Sequence, residues 1–134
     1  MSHQIFINLP VTNLAQATDF YKAIGFTQNM QFSDEKASGM AFDDNIYVML
    51  LTHAFAKTFI PHKEIADSKK TCEVLNALSF DSREAVDTFV DTAVAAGANE
   101  FGPAYDHGFM YGRDFEDLAG HIREIFWMDP TQAQ

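Results

Sequence analysis

The side chains of this chain that could act as nucleophiles or soft metal ligands are few and scattered. Among 134 residues there are one cysteine, Cys72, and five histidines. No base stands beside Cys72 in the sequence, so we predict a buried strand residue and not a nucleophile. The spacings of the common zinc fingers are absent, and a single cysteine excludes an internal disulfide. A reducing, cytoplasmic location is the simplest interpretation.

The charge of the chain disfavours two classes of partner. Asp and Glu number 19 against 9 Lys and Arg, which gives a formal net charge of −10. A surface this acidic repels phosphate groups, so we expect neither nucleic acid nor an anionic membrane as a partner. No apolar run approaches the roughly 18 residues of a membrane span. With 47% hydrophobic and 21% charged residues, the composition is that of a globular domain.

The first half of the chain predicts a strand, a helix and three further strands. Asn13 precedes an apolar stripe of helical period and can cap a helix, which Gly25 can end. The predicted elements are a strand at 3–11, a helix at 14–24 and strands at 26–32, 38–42 and 46–52. The last of these strands is nearly all apolar, which indicates burial on both faces.

Residues 54–71 interrupt this pattern and form a predicted connector. They contain four of the nine basic residues and Pro61, and we expect helix around 54–60. Two interpretations stay open for the connector: it is a solvated linker, or it is a flap over a binding site.

The second half repeats the order of the first. Ser82 can cap a helix that Gly97 ends. The predicted strands lie at 72–80, 98–102, 108–113 and 121–128. The chain is therefore predicted to contain two copies of one β-α-β-β-β unit.

An overlay of the two halves supports this internal repeat. A shift of 69 residues places Asn13 on Ser82 and Phe20 on Phe89, and a shift of 74 aligns the last strands. Each copy alone would hold only a marginal core, so the copies are expected to pack together within one chain or to exchange between two chains, and we predict a homodimer. We predict one α+β domain over 1–134, with module 1 at 1–53, the connector at 54–71 and module 2 at 72–129.

Four segments carry a resemblance to a known family. They are residues 8–14 (NLPVTNL), the pairs Phe20-Tyr21 and Gly25-Phe26, and residues 117–125 (DLAGHIREI). In these segments the chain resembles the glyoxalase/bleomycin resistance/dioxygenase group, the vicinal oxygen chelate superfamily. The resemblance implies curved mixed sheets around a concave site. It does not define an activity, because this fold hosts isomerases, dioxygenases, antibiotic-binding proteins and thiol transferases.

The resemblance also implies four positions for the ligands of a divalent metal. By position these are Phe6, Leu50, Leu75 and Glu124. Only Glu124 offers a lone pair, whereas a catalytic zinc usually has three protein ligands. His3, His53 and His121 lie at odd offsets from Phe6, Leu50 and Glu124, so regular strands would direct them to the opposite face. We therefore predict that no metal and no other cofactor is bound.

Strand alternation suggests which side chains line the concave site. Glu124 would lie in an apolar bowl, paired with Arg113, and would act as a general base or as a hydrogen-bond acceptor for a ligand. The predicted ligand-binding residues are Phe6, Asn8, Leu50, Leu75, Tyr111, Arg113 and Glu124.

Three functional hypotheses follow for this site. In the first, the protein binds a small apolar or aromatic molecule without a metal, either to sequester it or to transform it by proton transfer at Glu124. In the second, it is a metal-dependent lyase, isomerase or ring-cleaving dioxygenase of the glyoxalase type that uses Glu124 with histidines. In the third, it is a non-catalytic interaction domain whose bowl is filled by its own side chains.

Overall fold

A computed structural model describes residues 2–131 of the chain. The chain forms two compact units, Met1–Asp67 (unit 1) and Ser68–Gln134 (unit 2). Within residues 2–131 there are three α-helices and two mixed sheets. The predicted α+β fold class of two β-α-β-β-β modules is confirmed. None of the helices in this part of the chain has the length and apolar character that a membrane span requires.

Unit 1 is a four-stranded sheet with strand order β1-β4-β3-β2, in which β1 and β4 are parallel. A 3-10 helix at Met30–Phe32 follows β2. The elements are β1 (Ile5–Val11), α1 (Leu14–Ala23), β2 (Thr27–Asn29), β3 (Ala37–Ala41), β4 (Ile46–Thr52) and α2 (His53–Phe59).

Unit 2 has the same topology, with strand order β5-β9-β8-β6 and parallel β5 and β9. A two-residue strand, β7, adds to the edge of β8, and the sequence did not predict it. The elements are β5 (Leu75–Ser79), α3 (Arg83–Ala95), β6 (Asn99–Glu100), β7 (Tyr105–Asp106), β8 (Met110–Glu116) and β9 (Ile122–Met128).

The two long helices begin and end where their capping residues predict. The side chain of Asn13 accepts a hydrogen bond from the backbone N–H of Gln16, and Ser82 accepts one from Ala85. Each bond satisfies one of the free N–H groups of a first helical turn. Gly97 follows α3 with φ of 113°, a left-handed conformation that glycine adopts without strain.

The connector is partly a structural element of unit 1. Ala56 of α2 is buried against Ala37 and Leu51 of the sheet, and Ile65 packs on the same cluster. The interpretation of residues 54–71 as a solvated linker is therefore wrong for this part, because α2 covers apolar sheet surface.

The start of β5 corrects the prediction for Cys72. This strand begins at Leu75, three residues later, so Cys72 lies in the preceding loop and is exposed. The predicted burial of Cys72 is wrong because strand pairing begins only at Leu75, so residues 72–74 have no strand beside them to cover them.

Candidate functional site

The two faces of the unit 1 sheet carry different side chains. One face is covered by α1, and its buried members include Val48, Leu50 and Met40. The hydroxyls of Thr18 on α1 and Ser38 on β3 form a hydrogen bond of 2.7 Å across this packing. The other face, which we call the α1-distal face, carries the alternate residues of each strand: Phe6, Asn8, Pro10, Tyr47, Met49 and Leu51.

Leu50 is therefore wrongly predicted as a site residue. It is fully buried and pairs in register with Leu9, whereas Asn8 pairs with Met49. In unit 2 the matching pair is Ala77 with Glu124. The repeat-equivalent of Glu124 is thus Met49, at a shift of 75 residues and not 74. A shift of one residue moves a side chain to the opposite face of a strand, which is why Leu50 faces α1.

A cavity opens on the α1-distal face where α2 packs against it. Its volume is about 370 Å³, and its walls are formed by β1, β4, α2 and the segment after α2. Asn8 is the one polar side chain in the lining, and no lining residue carries a charge. The lining residues are Asn8, Pro10, Leu51, Ala56, Phe59, Ile60 and Ile65.

An aromatic cluster lies next to this cavity on the same sheet face. The rings of Phe6 and Tyr47 are stacked with centroids 4.6 Å apart, and Phe32 meets Phe6 edge to face at 6.2 Å. Phe32 packs directly on Gly39, since a Cβ at that glycine would lie 2.7 Å from the Phe32 Cβ. Phe6 and Phe32 remain 41% and 46% exposed, so the cluster presents aromatic surface.

In unit 2, Glu124 lies on the sheet face opposite α3, which we call the α3-distal face. Ala77 of β5 and Asp114 of β8 are its partners in register on either side. Cross-strand partners project to the same side of a sheet, so two carboxyl groups share this face. Leu75, two residues before Ala77, is on the same face and is 54% exposed.

Tyr105 connects β7 to this carboxyl pair. It pairs with Gly112, where a side chain would collide with the tyrosine ring, and its hydroxyl donates a hydrogen bond of 3.0 Å to Asp114. Burial raises the pKa of Asp114, although the bond from Tyr105 opposes this. Burial and the bond to Asp114 raise the pKa of Tyr105 as well. Sequence reasoning missed Tyr105 and Asp114, because a two-residue strand leaves no periodic signal.

Arg113 does not pair with Glu124, contrary to the prediction. Residues 111, 113 and 115 of β8 face α3, on the opposite side of the sheet from Glu124. The Arg113 guanidinium donates hydrogen bonds of 2.8–3.0 Å to Glu100, Asp87 and Asp91. The hydrogen bond with Glu100 makes the largest contribution to raising the pKa of Arg113.

Tyr111 lies in the same network and is equally remote from the α3-distal face. Its hydroxyl donates a hydrogen bond of 2.6 Å to Asp87 of α3. This bond and the contacts with Arg113 lower the pKa of Asp87. Tyr111 and Arg113 therefore attach β8 to α3, and the inward-face assignment of both residues is wrong.

The residues present do not fit the divalent metal that the fold family implies. With the register corrected, the four implied positions are Phe6, Met49, Leu75 and Glu124. Glu124 is the only oxygen donor among them, and a thioether such as Met49 is a poor ligand for a hard cation. Among residues 2–131, no three His, Cys, Asp or Glu side chains are grouped to hold an ion.

The histidines lie outside the regular parts of the strands. His3 precedes β1, His53 begins α2 and His121 precedes β9. His3 and His53 are exposed, as are His62 and His107 in loops.

Comparison with solved structures identifies the fold. The chain is similar to a glyoxalase/bleomycin resistance protein/dioxygenase family enzyme from Burkholderia phytofirmans PsJN, with a TM-score of 0.80, 18% identity and coverage of 95% of this chain and 99% of that one. It is also similar to a hypothetical protein from S. aureus, with a TM-score of 0.78, 25% identity and coverage of 95% and 94%. A fosfomycin resistance protein, FosX, from Listeria monocytogenes matches with a TM-score of 0.67, 19% identity and coverage of 95% and 91%. No protein-family model and no curated protein sequence matches the chain.

The chain thus has the fold of the glyoxalase/bleomycin resistance/dioxygenase proteins, the vicinal oxygen chelate superfamily. The resemblance stated from the sequence is confirmed. The solved structures that resemble this chain include an enzyme and a hypothetical protein. The fold by itself therefore does not define an activity.

Proposed function

We propose that this protein binds a small, largely apolar organic molecule in the cavity on the α1-distal face, without a divalent metal. The observation that carries the proposal is the cavity itself, with its volume of about 370 Å³ and uncharged lining. Ligand sites in proteins are typically concave, mostly apolar and about 300–1,000 Å³ in volume, with few polar groups.

The exposure of Phe59 favours a site that binds a ligand, and argues against a bowl that is filled by the protein's own side chains. This ring lines the cavity and is 62% exposed, with Phe55 as a ring neighbour at 5.0 Å. A bound apolar molecule would cover it and remove apolar surface from water, at about 25 cal/mol per Å².

A screen for ligand-induced stabilisation tests the proposal. A library of neutral apolar and aromatic compounds is added to the purified protein and the melting temperature is measured. A ligand at 100 times its dissociation constant adds about 2.7 kcal/mol to the free energy of unfolding, which is readily detected. If no compound raises the melting temperature, the proposal is wrong.

A matched pair of variants localises any ligand that the screen finds. Phe59→Ala removes an exposed ring from the cavity wall and is expected to weaken binding several-fold. Phe109→Ala removes an exposed ring of unit 2 that lies outside the cavity lining, and is expected to leave binding unchanged. Equal effects of the two variants would place the ligand elsewhere.

Proton transfer by Glu124 is a second candidate function. It is favoured by the Asp114 carboxyl group beside Glu124 in register and by the hydrogen bond from Tyr105 to Asp114, which put three titratable groups on one sheet face. Glu124→Gln is expected to abolish any turnover and to preserve the fold. Unchanged turnover in this variant would exclude Glu124 as the base. A metal-dependent lyase or dioxygenase is not proposed, because the donor set does not fit.

A homodimer and a cytoplasmic location are further parts of the proposal. Exposed apolar side chains in both units, among them Ile5, Met30 and Val74, support association with a second copy. Light scattering coupled to gel filtration tests the dimer, and a mass of 15.0 kDa in solution would contradict it.

A further inference from the structure

We infer that the molecule bound in the cavity of unit 1 is an uncharged aromatic compound that donates a hydrogen bond from an N–H or O–H group to the side-chain oxygen of Asn8. The inference rests on the proposed function and specifies the class of ligand.

The absence of charge follows from the cavity lining. None of its seven residues is ionisable, so an ion that entered would lose hydration without gaining a partner. The formal net charge of −10 disfavours anions further, because it repels them at a distance. Neutral molecules meet neither penalty.

The donor group follows from how Asn8 is oriented. Its side-chain nitrogen donates a long hydrogen bond, 3.5 Å, to the backbone carbonyl of Phe6. A backbone carbonyl can only accept a hydrogen bond, so the Asn8 group that faces it is the NH₂. The amide oxygen Oδ1 of Asn8 is then available to accept a hydrogen bond from another group. Within residues 2–131 no group donates to Oδ1. Asn8 therefore offers an acceptor at the wall of an otherwise apolar cavity.

The aromatic body follows from the surfaces around Asn8. Phe59 presents a ring to the cavity, and Phe6 and Tyr47 form a stacked pair on the sheet face that carries Asn8. Aromatic rings pack favourably edge to face or offset against such surfaces. The volume of about 370 Å³ accommodates one or two rings, since an apolar cavity of about 150 Å³ already holds benzene.

Two pairs of matched probes test this inference. Indole and phenol each carry a donor, and 1-methylindole and anisole are their methylated counterparts without one. We expect the wild-type protein to bind each donor probe about fivefold more tightly than its counterpart, the ratio that one neutral hydrogen bond provides. Benzoate, an anion of similar size to phenol, is expected not to bind. Dissociation constants are measured by calorimetry on the full chain.

Variants at Asn8 supply the controls. This residue is exposed, so Asn8→Leu is expected to fold, which circular dichroism checks. Asn8→Leu should abolish the preference for indole over 1-methylindole, because it removes the acceptor. Asn8→Asp retains an acceptor and should keep the preference for indole.

The outcomes separate this inference from the proposed function. Equal affinities of the donor probes and their methylated counterparts, or a preference that persists in Asn8→Leu, would overturn the inference and leave the proposed function intact. If none of the four probes binds but other compounds of the screen do, the inference is likewise wrong and the proposed function stands. If no compound binds the cavity, both are wrong.

Discussion

Asp114 shows how two neighbours determine the acidity of a single carboxyl group. Burial raises its pKa, and the hydrogen bond from the Tyr105 hydroxyl lowers it, because the charged form accepts that bond more strongly. Burial has the larger effect, so the folded state binds the Asp114 proton more tightly than the unfolded chain. The stability that this group contributes is complete below its ordinary pKa of 3.8 and is lost as the pH rises through its raised pKa.

Tyr105→Phe is expected to raise the pKa of Asp114 further, because it removes the bond that favours the charged form. The measurement is a titration of the Asp114 carboxyl carbon by NMR, with Asp114→Asn to assign the signal. Tyr47→Phe is the matched control, since it removes the hydroxyl of a tyrosine in unit 1, and it should leave the titration unchanged. A lower or equal pKa in Tyr105→Phe would show that the bond does not form in solution.

Arg113 couples α3 to the unit 2 sheet through charged hydrogen bonds. It contacts Asp87, Asp91 and Glu100, and it lowers the pKa of Glu100 through their hydrogen bond. Its own side chain is only 14% exposed, whereas that of Asp91 is 69% exposed and is screened by water. Most of the stabilisation is therefore expected from the contacts with Glu100 and Asp87.

Arg113→Met should lower the free energy of unfolding at pH 7 by about 1–2 kcal/mol, since it leaves charged acceptors without their donor. The lowered pKa of Glu100 means that this stabilisation is present above its ordinary value of 4.5 and is lost as the pH falls through the folded value. The difference from the wild type should therefore shrink in acid, as measured by urea unfolding at several pH values. Lys22→Met removes an exposed cation outside the network and should change stability by less than about 0.5 kcal/mol. A difference that is constant with pH would contradict the assignment.

At the scale of the elements, close packing of the 3-10 helix on β3 shapes the aromatic cluster. Phe32 ends that helix, and its Cβ and backbone oxygen lie over Gly39. This approach requires a residue without a side chain, because the nearest atom that a Cβ would meet is the Phe32 Cβ, which is fixed to the backbone and cannot move independently. The ring of Phe32, positioned by this contact, meets the ring of Phe6 edge to face.

Gly39→Ala should destabilise the protein by about 1–3 kcal/mol and displace the 3-10 helix, because the added Cβ would lie 2.7 Å from the Phe32 Cβ. Chemical denaturation measures the loss. In the background of Phe32→Gly, which removes the Cβ that collides, the same substitution should cost clearly less, and a double-mutant cycle isolates the clash. Equal costs in the two backgrounds would locate the strain elsewhere.

At the scale of the whole molecule, the duplicated unit carries different chemistry in its two copies. Both copies use one topology and place their capping residues 69 positions apart, at Asn13 and Ser82. At the equivalent point of the last strand, unit 1 has Met49 and unit 2 has Glu124. Unit 1 thus offers an apolar cavity, whereas unit 2 offers carboxyl groups.

The melting temperature should not respond to EDTA or to added Zn²⁺, Ni²⁺, Mn²⁺, Fe²⁺ or Mg²⁺, because one carboxylate among the four implied positions cannot hold an ion tightly. Elemental analysis of protein purified without chelators is the complementary measurement. A stoichiometric metal that is lost in Glu124→Gln would contradict the prediction and would revive the metal-dependent hypothesis.

The sequence alone determined the features whose causes are local. The helices at Leu14–Ala23 and Arg83–Ala95 and the strand at Ile46–Thr52 match their predicted spans closely, since capping residues, glycines and apolar periodicity act within a few positions. The order of elements and the internal repeat follow from the same local signals. The resemblance to the glyoxalase group could also be seen in the sequence, because the residues that carry it lie in short contiguous segments.

Only the tertiary structure decided which side chains meet. It directed Leu50 towards α1 and Met49 away from it, moved Tyr111 and Arg113 to the helix side of their sheet, and brought Tyr105 to Asp114. These outcomes depend on strand register, which is set by pairing between segments far apart in the chain. Because side chains alternate with a period of two, an error of one residue in that register reverses every face assignment.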